Sequence, residues 1–316
     1  MVRGGRCRCF SLIARAAGGG FNRRMHWRKI TVVGVGLLGG SLGLAIRQRR
    51  LAERVEGYVR RAESITECDQ LRVLDHATTD LAEAVEGADL VVMCTPIGRM
   101  EELCREMGGA LKRGAIVTDV GSVKESVART LEPLVAGAGA HFVGSHPMAG
   151  SEKTGVSAAR ADLFEGAVCA ITPTDQSLGQ SVGAVEEFWR ALGMETLRIP
   201  PALHDELVAR CSHLPHMLAA GLVNHILSPA HPPEQVKLCA NGFRDTTRIA
   251  SGSPEMWRDI ASANRMNLAR VLDAFMEDLG RIRLALEKGD DAVIAEFFEQ
   301  AKRRRDEWCG GGRSPE

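Results

Sequence analysis

The chain has no excess charge of either sign: 40 basic residues balance 40 acidic ones among 316. No overall field therefore favours nucleic acid or a membrane surface. It has no Cys-x-x-Cys pair, and its nine cysteines are odd in number and scattered. This argues against a bound metal and against a disulfide framework, and it fits a reducing compartment. No apolar run approaches the ~18 residues that a membrane-crossing helix needs. These absences leave a cytoplasmic protein without metal, membrane or nucleic-acid partners. With 45 % hydrophobic and 25 % charged residues, the chain is long enough for two domains with cores of their own.

Asp and Glu are missing from residues 1–28, which are rich in Arg and Gly and contain Gly18-Gly19-Gly20. A targeting peptide and a basic arm for a polyanion are two readings of this segment. Against the first, Ser is nearly absent and the apolar stretch is broken. The reading adopted is a disordered or spurious extension, because Met25-His26-Trp27-Arg28 runs straight into a strand-like segment. Residues 309–316, with Gly310-Gly311-Gly312, are expected to be a flexible tail.

What is present begins with Gly34-Val35-Gly36-Leu37-Leu38-Gly39. It follows the apolar run Ile30–Val33 and precedes a helical pattern from Leu42 to Gln48, the context that supports a dinucleotide fingerprint. Gly34 allows the tight turn, Gly36 lets the backbone approach a pyrophosphate, and Gly39 lets helix and strand pack closely. The amides of Leu37 and Leu38 open the helix and face the phosphates. From Lys29 to about Pro200, further strand-like runs alternate with helical segments. They lie at Val55–Val59, Leu90–Cys94, Ala115–Asp119, His141–Gly144, Ala167–Thr172 and Glu195–Ile199. This predicts an α/β Rossmann-type dinucleotide-binding domain over 29–200, built on a mostly parallel sheet. After Pro200-Pro201 only helical patterns follow, among them a long amphipathic stretch Met256–Leu286. Residues 201–308 are expected to form an all-helical domain for substrate binding and for pairing into a homodimer.

Ligands on such sheets bind at the carboxyl ends of the strands. Three loops fall there: Thr95-Pro96-Ile97, Gly121-Ser122-Val123-Lys124, and Gly144 to Thr154. The second strand ends in Val59-Arg60-Arg61 where an NAD site places a carboxylate. Guanidinium groups there pair with a 2′-phosphate, which favours NADP over NAD. The alternative is a solvated basic turn with Glu63 reaching the ribose. Ser122 reads as an orienting hydroxyl or as a helix N-cap. His146 follows a strand and precedes Pro147, a placement suited to taking a proton from an alcohol, or to a buried structural role. In the helical half, Ser212-His213-Leu214-Pro215-His216 lacks the further ligands a metal site requires. Arg244 and Arg248, four apart, either clamp a carboxylate from one helix face or form an ordinary solvated face.

Five motifs in this order resemble the prephenate/arogenate dehydrogenase family. They are Gly34–Leu42, Asp119–Lys124, Gly144–Glu152, Ser212–His216, and Thr247-Arg248-Ile249-Ala250 with Met256-Trp257-Arg258-Asp259-Ile260. The resemblance implies hydride transfer from the ring carbon bearing the 4-hydroxyl of prephenate or arogenate to NAD(P)+, with loss of CO2. It implies that His146 takes the hydroxyl proton and that Ser122 aligns hydroxyl and nicotinamide. It also implies that Arg248 binds a substrate carboxylate, with His213 and Glu152 lining or gating the pocket. Two other readings are a β-hydroxy-acid dehydrogenase, which would commonly use a lysine base, and a non-catalytic dinucleotide sensor.

Overall fold

The computed structural model describes residues 27–150 and 153–311. Eight strands form one sheet: β1 (Trp27–Val33), β2 (Ala52–Tyr58), β3 (His76–Thr78), β4 (Leu90–Met93), β5 (Ile116–Asp119), β6 (His141–Pro147), β7 (Val168–Thr172) and β8 (Glu195–Arg198). Their spatial order is β3-β2-β1-β4-β5-β6-β7-β8. All neighbours run parallel except β6 and β7. The strand order reverses between β1 and β4, which opens a crevice at their carboxyl ends.

The helices of this half are α1 (Leu37–Arg49), α2 (Ala62–Leu71), α3 (Leu81–Val85), α4 (Ile97–Met107), α5 (Glu125–Gly137) and α6 (Gly179–Ala191). Alternate residues of the central strands feed two cores. Ile30, Val32, Leu90 and Val92 face α1 and α6, where Leu42, Ile46, Phe188 and Trp189 are buried. Val33, Val91 and Met93 face the other way, toward Met100 and Met107 of α4 and Leu131 and Val135 of α5. Burial on both faces is why these strands read as continuous apolar runs in the sequence.

The second half is helical: α7 (Pro201–Val208), α8 (Leu214–Ile226), α9 (Glu234–Lys237), α10 (Asn241–Thr247), α11 (Pro254–Ala263), α12 (Arg265–Lys288) and α13 (Asp291–Gly311). Pro201 occupies the first turn of α7, where its missing N–H costs nothing. A π-helical turn, Ala209–His213, joins α7 to α8. Pro215, in the first turn of α8, has no N–H to return to Cys211, and the backbone widens just before it.

Several expectations need correction. Trp27 and Arg28 belong to β1 and not to an extension; residues 1–26 lie outside the described residues. The strand β3 and helix α3, three and five residues long, are too short to give a periodic signal. The stretch Met256–Leu286 is two helices, because the buried Asn264 turns its side chain to hydrogen bonding and breaks the run. The expected tail is helical as far as Gly311, continuing α13. Among the described residues no helix is long and apolar enough to cross a membrane, and no cluster of side chains could hold a metal ion.

Candidate active site

The turn after β1 carries the phosphate-cradle features. Gly34 sits at φ +97°, and a Cβ there would come within 2.7 Å of the Thr95 methyl. A Cβ on Gly39 would overlap the Gly34 carbonyl, so helix α1 can approach β1 only with glycine there. Gly36, by contrast, faces open space. That opening lies at the N-terminus of α1, whose first turn has no acidic residue to compete for its amides. Thr95 follows β4 across the crevice, and its buried hydroxyl has no hydrogen-bond partner. Open space at Gly36, bare amides at Leu37 and Leu38, and an orphaned hydroxyl fit a bound dinucleotide. Pro96 is exposed at the same rim. Arg60 and Arg61 are exposed just past β2, whose Tyr58 carbonyl accepts the Gly34 N–H at 3.0 Å.

His146 departs from its expected place. It lies within β6 and does not follow it: beyond the Thr118–Val143 pair, β6 leaves β5 behind and pairs with β7, bringing His146 opposite Ala170. The ring is 7 % exposed. Its pKa is driven well below 6.5 by burial, then by the positive charge of Lys124 and by the charges that His204 and His213 would carry if protonated. The ring is thus neutral at physiological pH, the form a general base requires.

Behind His146 lies a buried polar frame that the sequence did not reveal. Lys124 and Asp119 form an ion pair with both side chains fully buried. The Lys124 ammonium also donates to the Ser145 carbonyl at 2.8 Å. Asp119 accepts the amides of Gly121 at 2.8 Å and Ser145 at 3.2 Å. The Ser145 hydroxyl donates to the Asp119 carbonyl at 2.6 Å and accepts from the Trp189 indole at 3.0 Å. Every group that fixes the backbone before His146 therefore has a partner, as buried polar groups require.

The helical half closes the other side. His204 and Asp205, on α7, are buried, and the His204 ring lies 2.9 Å from Nδ1 of His146. Asp205 accepts the amides of Lys124 at 2.7 Å and Glu125 at 2.9 Å, so it caps α5 across the two halves. Ser122 is not that cap; it is half-buried in the loop before α5. His213 is also buried, and Asn264 reaches both its Nδ1 at 3.2 Å and the Asp205 carbonyl at 2.8 Å. With both amide protons of Asn264 so used, Nδ1 of His213 is an acceptor and Nε2 carries the proton. The Ser122 backbone lies within reach of this ring and raises its pKa, against the larger effect of burial. Trp257 stacks on His216 with centroids 3.9 Å apart and meets His213 edge-on.

The expected arginine clamp is not on one helix. Arg244 is in the last turn of α10, and Arg248 begins the 3₁₀ turn after it; both side chains are exposed. Arg248 lies near enough to His216 to lower that ring's pKa, though burial is the larger cause. Glu152 lies outside the described residues.

Burial lowers the His213 pKa from 6.5 to about 4. The unfolded chain takes the proton more readily, so this contribution to stability is complete above about pH 6.5 and is lost as the pH falls toward 4. For His213 alone the loss reaches about 3 kcal/mol. Urea midpoints should fall between pH 7.5 and 5, and His213→Gln should flatten the dependence; an unchanged slope would place that ring in water.

A reversed-order parallel sheet with a glycine cradle, a neutral histidine at its carboxyl edge and a helical wall opposite defines a dinucleotide-dependent dehydrogenase. The family model described as "Prephenate dehydrogenase, nucleotide-binding domain" matches residues 42–197, and "Prephenate dehydrogenase, dimerization domain" matches residues 200–300. The chain is 33 % identical over 279 residues to a prephenate dehydrogenase of Bacillus subtilis, covering 88 % of this chain and 75 % of the relative. It is 32 % identical over 283 residues to a cyclohexadienyl dehydrogenase of Zymomonas mobilis, covering 88 % and 95 %. The structure of Aquifex aeolicus prephenate dehydrogenase with hydroxyphenyl propionate and NAD+ superposes with a TM-score of 0.83 at 30 % identity, covering 89 % of this chain and 98 % of that one. The chain belongs to the prephenate dehydrogenase family and is an oxidoreductase using NAD(P).

Proposed function

We propose that the chain carries out the oxidative decarboxylation of prephenate or arogenate, giving 4-hydroxyphenylpyruvate or tyrosine, and prefers NADP+ as its oxidant. The neutral His146, held at the sheet edge between the cofactor crevice and the helical wall, carries the reading. NAD(P)+, when bound, supplies the hydride acceptor. His146 takes the proton of the 4-hydroxyl as the ring C–H breaks; the ring carboxylate leaves as CO2, and the proton returns to the phenol. Ser122 orients the hydroxyl, and His213, buried beside the Ser122 backbone, lines the pocket. Arg248 and Arg244 provide the cations that meet its carboxylates. A homodimer forms through the helical half, which leaves Leu238, Met266, Phe298 and Trp308 between 65 % and 82 % exposed.

Initial rates of NAD(P)H formation with each substrate and each cofactor test this reading. Turnover is expected with at least one substrate, faster with NADP+. Silence in all four combinations, from folded protein that binds dinucleotide, would overturn it. The cofactor preference rests on Val59 and the two exposed guanidinium groups that follow it. Arg60→Asp is expected to move the NADP/NAD ratio of kcat/KM toward NAD by about tenfold or more, the worth of one charged hydrogen bond. An unmoved ratio would make Arg60 a solvated turn residue.

A further inference from the structure

Because ring nitrogens donate or accept according to tautomer, the neighbours of His204 decide the state of both rings. The Asp205 carboxylate accepts two backbone amides, which can only donate, and its Oδ1 also lies 2.8 Å from Nδ1 of His204. Facing an acceptor, Nδ1 of His204 carries a proton, and with that single proton on the ring its Nε2 is a bare lone pair. That lone pair lies 2.9 Å from Nδ1 of His146. Nδ1 of His146 therefore donates, and its Nε2 is left unprotonated.

We propose that His204 and Asp205 are positioning residues that lock His146 in the tautomer able to act as a base. The inference rests on His146 as the proton acceptor of the reaction. Its ring order is Asp205 carboxylate, His204 Nδ1–H, His204 Nε2, His146 Nδ1–H, His146 Nε2, the last being the atom that takes the substrate proton. When it does so, the positive charge on His146 faces the Nε2 lone pair of a ring backed by a carboxylate, not an apolar wall. Lys124 and His213 also lie near this ring, and Cys169 on β7 adjoins its backbone. None of these is within hydrogen-bond distance of the His146 ring. His204 is thus the one described side chain that can set the tautomer.

The first test needs no substrate. Two-bond proton–nitrogen spectra of protein labelled with ¹⁵N-histidine, assigned with His146→Asn and His204→Gln, should show both rings protonated on Nδ1. His146 protonated on Nε2 would overturn the proposal even in an active enzyme. The second test is kinetic. His204→Leu should lower kcat by roughly 10²-fold or more with little change in KM. His204→Gln, whose Oε1 can take the place of Nε2 and still accept, should retain at least about tenfold more activity than the leucine variant. Equal losses in the two variants, or a change confined to KM, would reduce His204 to a packing residue. If the leucine variant does not fold, the glutamine variant and the wild-type spectrum decide. A native chain inactive on every substrate but showing the expected tautomers would refute the assigned reaction and leave the dyad standing.

Discussion

Replacing His146 with asparagine is expected to lower kcat by roughly 10²–10⁴-fold while leaving dinucleotide affinity unchanged, the usual range for losing a positioned general base. The two effects separate because the cradle and the base stand on different strands. The cradle follows β1 and is completed by Thr95 after β4, whereas His146 is in β6. Asparagine keeps a polar side chain toward His204 and has no nitrogen basic enough to accept a proton at neutral pH. Cofactor titration followed by fluorescence, together with steady-state rates, checks the prediction. Near wild-type turnover would remove His146 from the chemistry, and lost cofactor binding would mean that the variant disturbs the sheet.

The second large effect concerns stability. Lys124→Met should destabilise the fold by about 3–5 kcal/mol, because it leaves the Asp119 carboxylate buried without its cation. Asp119 keeps its bonds from the Gly121 and Ser145 amides, but these do not neutralise its charge. Adding Asp119→Asn to Lys124→Met should therefore recover part of the loss, by removing the stranded charge. Urea denaturation of the three proteins measures this. A single-variant loss below about 1 kcal/mol would be the figure for a solvated pair, at odds with full burial. The same substitution loosens the Ser145 carbonyl, so turnover should decline with stability.

Lys124 shows where the sequence stops being legible. Glycine spacing after an apolar run locates the cradle, because the turn, the close approach and the bare amides all follow from local geometry. Strands buried on both faces are equally plain, as β1, β4 and β5 show. Asp119 and Lys124, five residues apart, give no sign that they meet in the interior, since a loop and not a helix brings them together. His204 and Asp205 look like ordinary polar residues in the first turns of a helix opened by two prolines. Their role depends on contact with residues 58 to 81 positions away in the chain. The apolar run His141–Gly144 stops before His146, yet β6 there passes from β5 to β7, and His146 and Pro147 are still within the ladder.

The Asp205 cap on α5 also bears on how the chain is made. Synthesis begins α5 some 80 residues before the carboxylate that seals its first turn leaves the ribosome. Until then the sheet half holds an open helix end beside the buried lysine, with no ring to support His146. The nucleotide-binding half is therefore not a finished module awaiting a partner. Its last backbone bonds close only when the helical half arrives, so the ring beside His146 and the final stability come in the same event.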